Sequence, residues 1–91
     1  MRKETATKLQ QVRTKIEGIA QEVRSIHGDI DFEAVEEHGK ADNSRENFPD
    51  KADIFDEIAG YLDDAAYDLE EAAEHLESAA ENINEACEVE Q

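Results

Sequence analysis

The chain has few of the residues on which disulfide-bonded, turn-rich or membrane-spanning proteins depend. Its 91 residues include one Cys, one Pro, four Gly and no Trp, and aromatic residues make up 5%. The single Cys87 excludes an internal disulfide framework and a multi-cysteine metal site, which favours a reducing, cytoplasmic location. The scarcity of Pro and Gly argues against a β-sandwich or barrel with many turns. No apolar run approaches the length of a membrane span or a secretory signal, so we expect neither.

Cations are nearly absent from the C-terminal half of the chain. Residues 50–91 contain fifteen Asp or Glu and one Lys, a net charge of −14, whereas residues 1–28 contain six Lys or Arg and three Glu, a net charge of +3. The whole chain has a formal net charge of −16. Such a charge often accompanies disorder, but the apolar residues recur too regularly for a disordered tail. We therefore expect residues 1–91 to form one ordered helical domain.

Apolar residues of the N-terminal segment recur at alternating steps of three and four. The predicted seam consists of Leu9, Val12, Ile16, Ile19, Val23 and Ile26. This spacing predicts an amphipathic helix over residues 3–28, and Gly28 favours a break there because glycine often ends helices. Residues 29–49 are predicted to be a connector with a short helix, a loop over residues 39–44 and a helix entry at Pro49.

The C-terminal segment, residues 50–89, has a seven-residue repeat in which large and small residues alternate. The predicted seam is Phe55, Ile58, Leu62, Ala65, Leu69, Ala72, Leu76, Ala79, Ile83 and Ala86. A third stripe of small residues lies beside it, at Ala59, Ala66, Ala73, Ala80 and Cys87. Small residues let another backbone approach closely, and a strict seven-residue period predicts one long, supercoiled helix. The place of Cys87 in this stripe favours a packing role over a reactive thiol.

The basic and acidic segments are predicted to pair with each other. Opposite charges beside an apolar seam favour this pairing over self-pairing of the acidic helix, by a few tenths of a kcal/mol per exposed pair. The predicted fold is therefore all-α, an antiparallel helical hairpin or coiled coil with a long acidic C-terminal helix. Such a hairpin leaves part of both seams in water, so two additions remain open. One is a short third helix in the connector, and the other is a homodimer that forms a four-helix bundle.

The face of the acidic helix away from its seam is the candidate partner-binding surface. Its predicted members are Asp56, Glu57, Asp63, Asp64, Tyr67, Glu70, Glu71, Glu74, Glu77 and Glu81. One interpretation is a solvated face that keeps a small protein soluble. However, like charges at i,i+4 destabilise a helix, and ordinary exposed faces intersperse Lys and Arg. We therefore expect the face to meet a basic protein, most simply a nucleic-acid-binding groove, with Tyr67 as an anchor.

The basic helix, the Phe-Pro-Asp turn and the repeats Leu-Glu-Glu-Ala-Ala and Leu-Glu-Ser-Ala-Ala resemble the small acidic coiled-coil proteins that bacteriophages and mobile elements encode. The likeness is closest over residues 50–88. It implies an accessory protein, and acidic members of that group include inhibitors of host restriction and CRISPR systems. No functional residue is carried over from the resemblance, because no motif identifies one.

No arrangement of residues typical of catalysis or metal binding is found. The Glu-x-x-His pattern of di-iron bundles is not met, because Ala72 stands three residues before His75. A calcium loop that begins at Asp29 would need glycine at its sixth position, where Ala34 stands. There is no Gly-rich phosphate loop, nucleophile elbow or Cys/His pair. We expect no enzymatic activity, no cofactor and no metal.

The sequence therefore predicts an acidic nucleic-acid mimic that occupies a basic partner and inhibits it. The net charge opposes direct binding to nucleic acid or to an anionic membrane. The first alternative is a structural coiled-coil scaffold or oligomerisation module, in which the acidic face is only solvated. The second is a chaperone or antitoxin-like protein that neutralises one basic partner.

Overall fold

Two long helices form the protein. The computed structural model describes residues 1–90, with side chains described for residues 1–89. Helix α1 spans Lys3–Ser44 and helix α2 spans Pro49–Glu90, and each has 42 residues. They pack against each other as an antiparallel hairpin whose Cα atoms extend over 67 × 15 × 13 Å. This confirms the predicted all-α helical hairpin.

The turn between the helices is short, and its last residue, Phe48, forms backbone hydrogen bonds with both helices. Residues 45–48 form the turn, and the Phe48 amide donates a 2.7 Å hydrogen bond to the Ser44 carbonyl. The Phe48 carbonyl in turn accepts a 3.0 Å hydrogen bond from the Ala52 amide. Pro49 is the first residue of α2, where the missing amide proton of proline costs no helical hydrogen bond. The carboxylate of Asp50 in the first turn interacts favourably with the positive end of the helix dipole. The predicted helix entry is confirmed.

Helix α1 continues through Gly28, so the predicted break there is wrong. The predicted loop over residues 39–44 is also helical, and residues 1–90 contain no third helix. A glycine inside a helix costs only about 1 kcal/mol relative to alanine. Continuing the helix lets residues 29–44 cover the beginning of α2, where Ala34 and Ala41 become 2% and 0% exposed. Packing along the whole of α2 therefore outweighs the local cost of glycine.

We expect Gly28→Ala and Gly39→Ala each to stabilise the protein by about 0.5–1 kcal/mol. An added Cβ meets nothing within 4 Å at either position, and neither glycine has a positive φ. Alanine would therefore improve helix propensity and restrict the unfolded chain without a clash. Thermal unfolding followed by circular dichroism should show a Tm higher by roughly 2–8 °C for each variant. A lower Tm in either variant would contradict an uninterrupted α1.

Two cross-helix ion pairs and one histidine–carboxylate contact define how the helices are aligned. Arg24 pairs with Glu77 at 2.5 Å, His38 with Asp63 at 3.0 Å, and Arg45 with Asp56 at 3.0 Å. Along both helices these residues are separated by multiples of seven, in opposite directions. We label the seven-residue repeat a to g, with Ala20 and Ala66 at position a. All six paired residues then occupy position e, so the e positions of both helices lie on the same side of the hairpin.

The small residues at position a form the contact between the helices. On α2 they are Ala52, Ala59, Ala66, Ala73, Ala80 and Cys87, all between 0% and 7% exposed. On α1 the buried alanines are Ala20, Ala34 and Ala41, at 0–4%. The stripe that the sequence placed beside the α2 seam is thus the seam itself. Alanine at this position brings the backbones close, so the large residues at position d cannot enter between them and stay half-buried.

The predicted seam of α1 is only half correct. Its residues at position d, such as Ile16 and Val23, are half-buried against α2. In contrast, Val12, Ile19 and Ile26 are 45%, 49% and 50% exposed. These three lie at position g, one residue before position a, and the close approach of the two a stripes turns them to the edge of the contact. Ile58 of α2 also lies at position g and is 41% exposed for the same reason.

Candidate partner-binding surface

The carboxylates of α2 lie in rows whose surroundings differ. The paired row, at position e, consists of Asp56, Asp63, Glu70 and Glu77. The open acidic face comprises positions b and f, which are adjacent on the side of α2 away from α1. Beyond the first turn of α2, which contains Asp50, its carboxylates are Asp53, Glu57, Asp64, Glu71, Glu74, Glu81, Glu85 and Glu88. The ten predicted binding residues are thus divided between these two surfaces.

Cations of α1 already occupy the paired row. Arg24 donates two hydrogen bonds to Glu77, from Nε at 3.0 Å and from Nη2 at 2.5 Å. This contact raises the pKa of Arg24 and lowers the pKa of Glu77. His27 lies 4.0 Å from Glu70. These carboxylates hold the hairpin together, which makes them poor candidates for meeting a partner.

Arg45 closes the paired row at the turn. It donates hydrogen bonds to Asp56 at 3.0 Å and to Asp42 at 3.1 Å. The hydrogen bond to Asp56 is the main cause of a raised pKa for Arg45, and the bond to Asp42 adds to it. At the other end of the row, Arg13 donates to the side-chain oxygen of Asn84, the residue that takes the place of an acid at position e. The expected attraction between the basic and acidic helices is therefore concentrated on one side of the hairpin.

The open acidic face has no such counterions. Glu57, Asp64, Glu71, Glu74 and Glu81 are exposed, and within residues 1–89 none of them forms an ion pair with Lys, Arg or His. Carboxylates one turn apart are separated by about 5–6 Å along the helix surface. Those seven residues apart are separated by roughly 10.5 Å. The face is therefore a long, uncompensated strip of negative charge.

Tyr67 is the aromatic residue within this strip. It lies at position b and is 62% exposed. Interaction with the Glu71 carboxylate, one turn further along α2, raises the pKa of Tyr67. The ring is thus held beside a carboxylate and remains available to pack against another molecule. This placement is compatible with the predicted role as an anchor, which stays a prediction.

The sequence patterns missed three polar residues inside the seam. Arg13 and His27 occupy position a, and Glu37 occupies position d with 9% of its surface exposed. Lys40 donates a 3.0 Å hydrogen bond to one oxygen of Glu37, while the other oxygen is buried without a hydrogen-bond partner. Counting in sevens from Ala20 would have found His27, because 27 follows 20 by one repeat. The apolar pattern alone pointed instead to its neighbour, Ile26.

Other features of the described chain do not form a second site. No group of three or more His, Cys, Asp or Glu within it is arranged to hold a metal ion. None of its helices is both long enough and apolar enough to cross a membrane. A depression near the start of α1 is lined by Lys3, Glu4, Thr7, Lys8 and Gln11. All five belong to one helix, so the depression is open to solvent and encloses nothing.

Comparison with protein-family models, with curated proteins and with solved structures finds no match to this chain. The function must therefore be argued from its two distinctive surfaces. One is the open acidic face. The other is the apolar side of the hairpin, where Val12, Ile19, Ile26 and Ile58 are exposed at position g.

Proposed function

We propose that this chain is a non-enzymatic binding protein that occupies a basic nucleic-acid-binding site of another protein and inhibits it. The observation that supports the proposal is the open acidic face, eight carboxylates on one side of α2 that form no ion pair within residues 1–89. Like charges at i,i+4 cost a helix a few tenths of a kcal/mol per pair. Solubility does not require this cost, because an interspersed Lys or Arg would serve equally well. Binding to a basic surface would offset it.

The shape of the hairpin suits a groove that normally holds a nucleic-acid backbone. The eight carboxylates extend from Asp53 to Glu88, a distance of roughly 52 Å along the helix. That gives about one charge per 7 Å, or about half the charge density of one DNA strand, which carries a phosphate every 3.4 Å or so. The arrangement therefore imitates the charge and rod shape of a strand rather than each phosphate. Flexible Lys and Arg side chains in the partner can adjust to this spacing.

The partner class follows from this chemistry. Proteins that hold nucleic acid mainly through backbone phosphates present long grooves lined by Lys and Arg. The channel that binds the heteroduplex in an RNA-guided nuclease is one such groove, and it recognises shape and backbone instead of sequence. An acidic rod in that channel would exclude the nucleic acid. Inhibitors of CRISPR or restriction systems are the corresponding biological role.

A structural coiled-coil scaffold is the second candidate function, and the exposed apolar side of the hairpin favours it. Val12, Ile19 and Ile26 lie at position g on α1, on the side of the hairpin opposite the paired row. In the scaffold interpretation the acidic face is only solvated and the apolar side makes the functional contacts. The two functions predict opposite responses to salt, because screening weakens charge pairing and leaves apolar contacts intact.

A salt-dependent pull-down tests the proposal. Tagged protein is incubated with lysate at low salt and at roughly 0.5 M salt, and captured proteins are identified by mass spectrometry. We expect a nucleic-acid-binding protein that is captured at low salt, lost at high salt and displaced by added DNA or RNA. Capture that resists salt and nucleic acid would overturn the proposal and favour the scaffold.

Two variants with the same change in net charge locate the contact. The test variant neutralises four residues of the open acidic face, by Asp64→Asn, Glu71→Gln, Glu74→Gln and Glu81→Gln. The control neutralises four scattered acids outside both surfaces, by Glu4→Gln, Glu17→Gln, Asp31→Asn and Glu46→Gln. The test variant should capture the partner at least about tenfold less well, since each lost contact removes its own share of binding free energy. Equal loss in both variants would point to net charge alone and would contradict a defined face.

A further inference from the structure

We infer that the apolar side of the hairpin is covered by a second copy of this chain, packed in the opposite direction. The e positions of the two antiparallel helices meet on one side, as the cross-helix contacts of Arg24, His38 and Arg45 demonstrate, so the g positions must lie together on the other. The apolar residues on this side are Val12, Ile19, Ile26, Ile58, Ala65, Ala72, Ala79 and Ala86, and the other g positions hold Thr5, Glu33, Lys40 and Lys51. It runs most of the length of the rod.

The hairpin alone does not bury its large apolar side chains. Every buried apolar residue within residues 1–89 is Ala or Cys, and no large side chain is fully buried there. The leucines at position d of α2, Leu62, Leu69 and Leu76, are half-buried and border the apolar side. The isoleucines Ile19 and Ile26 on α1 are about half exposed. A helix pair with so little enclosed core gains its remaining hydrophobic stabilisation by packing against further helices.

The net charge of the chain does not prevent self-association on this side. Position g of the two helices holds one acid, Glu33 of α1, and position c of α2, which borders it, holds Asp68 together with Tyr61, His75 and Asn82. The open acidic face lies on positions b and f, away from the proposed contact. Two copies joined through the apolar side would therefore keep their acidic faces outward. This inference does not depend on the proposed function, which uses the opposite surface.

Charges along the rim select the orientation of the second copy. On α1, position c carries Lys8 and Lys15 towards the chain termini and Asp29 and Glu36 towards the turn. A two-fold axis that crosses the rod at Glu22 brings Lys15 opposite Asp29 of the second copy, because each is seven residues from Glu22. It likewise brings Lys8 opposite Glu36 of the second copy, fourteen residues away on either side. Each of these attractions occurs twice in the symmetric pair, against a single repulsion between the two Glu22 side chains at the axis.

The same axis also matches the apolar residues. Ile19 and Ile26 lie three residues before and four residues after Glu22, so Ile19 of one copy meets Ile26 of the other. The alternative arrangement, with both turns at the same end, would place α1 beside α2 of the second copy. It would place Asp68 of one copy between Asp29 and Glu36 of the other, a cluster of acids, in each half of the pair. Charge complementarity therefore favours the antiparallel arrangement, a four-helix bundle.

The available area is sufficient for a stable dimer. A side of the rod 67 Å long and 15 Å wide offers roughly 1,000 Å² per copy. A standard-size interface buries about 800 Å² per partner. With the axis at Glu22, residues 3–41 of the two α1 helices overlap, whereas the two α2 helices overlap only over residues 68–90. About two thirds of the side, roughly 700 Å² per copy, is then used, within the range of about 600–1,000 Å² per partner for specific interfaces.

Sedimentation equilibrium tests the second copy. The wild-type chain should have the mass of a dimer at micromolar concentration. Ile19→Lys and Ile26→Lys should each weaken association on the order of 100-fold, since a symmetric interface loses the side chain twice. The matched control is Val35→Lys, at a 68% exposed site on the outer face of α1, which should remain dimeric. Because lysine reduces the net negative charge, weaker association of the first two variants cannot come from added repulsion.

Cysteine cross-linking tests the orientation. In a Cys87→Ala background, Glu22→Cys should form a disulfide-linked dimer on oxidation, because the axis brings the two cysteines together. Ser25→Cys, on the outer face, should remain uncross-linked. Unchanged helical circular dichroism confirms that each variant folds. A monomeric wild-type chain at about 100 µM, a dimer that survives Ile19→Lys, or equal cross-linking at residues 22 and 25 would each overturn the inference.

Discussion

Replacing Ala66 with leucine should destabilise the protein by about 2–3 kcal/mol, close to the upper end of the cost of overpacking. Ala66 is 3% exposed at position a, and the alignment of the ion pairs places Ala34 of α1, 2% exposed, at the same level. Two alanines facing each other leave no room for three further carbon atoms. The neighbouring alanine layers hold the backbones close on both sides, so the helices would have to separate locally and give up those contacts.

The adjacent residue provides the control for this prediction. Ala65 lies at position g and is half-buried at the edge of the contact, so Ala65→Leu should change the free energy of unfolding by less than about 1 kcal/mol. Both free energies can be measured by urea unfolding followed by circular dichroism, with the midpoint as the readout. The sequence seam placed Ala65 in the contact and Ala66 beside it. A larger loss at Ala65 than at Ala66 would therefore restore that seam and contradict the observed packing.

The fold was predictable from the sequence because periodicity and charge agree. The seven-residue repeat of α2 predicted one long helix, and opposite charges predicted α1 as its partner. The phase of the contact was not predictable by choosing the largest apolar residues, since Val12, Ile19 and Ile26 form as regular a stripe as the one that is used. Which of the two stripes forms the contact is decided by how closely the helices approach each other. That depends on facing alanines such as Ala34 and Ala66, a property of the pair and not of either helix.

The extent of α1 was mispredicted for a related reason. Gly28 is a local signal for a helix end, and local signals are worth about 1 kcal/mol. The gain from covering the first half of α2 is distributed over residues 29–44 and becomes visible only when the two helices are aligned. Seven-residue steps from Ala20 reach Ala34 and Ala41, both buried. Following that stripe would have carried the predicted helix past Gly28.

The acidic surface was predicted as one face, and the structure divides it into two. Composition and spacing alone identify a helix with carboxylates on several sides. Which of them meet a cation depends on the alignment of α1, which places Arg24 at Glu77 and Arg45 at Asp56. The candidate contacts with another protein therefore narrow to the open acidic face, with Tyr67 among its members. Their role in binding stays a prediction until the charge-matched variants are compared.

Glu37→Leu should stabilise the protein by about 1–3 kcal/mol, the scale of the cost of leaving a buried polar group unpaired. Glu37 occupies position d at the level of Leu62, with 9% of its surface exposed and one carboxylate oxygen buried without a partner. Leucine would remove that unpaired oxygen and add an apolar contact. Lys40, which now pairs with Glu37, has a side chain that is 54% exposed and lies 5.8 Å from the ring centre of Phe55. It would therefore not become a buried, unpaired charge.

The measurement is the urea midpoint, with Glu57→Leu as the control. Glu57 lies on the open acidic face and forms no ion pair within residues 1–89, so its replacement should stay within about 0.5 kcal/mol of wild type. If Glu37→Leu instead destabilised the protein, the buried carboxylate would be favourable as it stands. Its pairing with Lys40 would then have to favour one alignment of the helices over a slip by one repeat, because apolar residues at position d fit either alignment. Cross-linking across the ion-paired side would detect such a slip in the leucine variant.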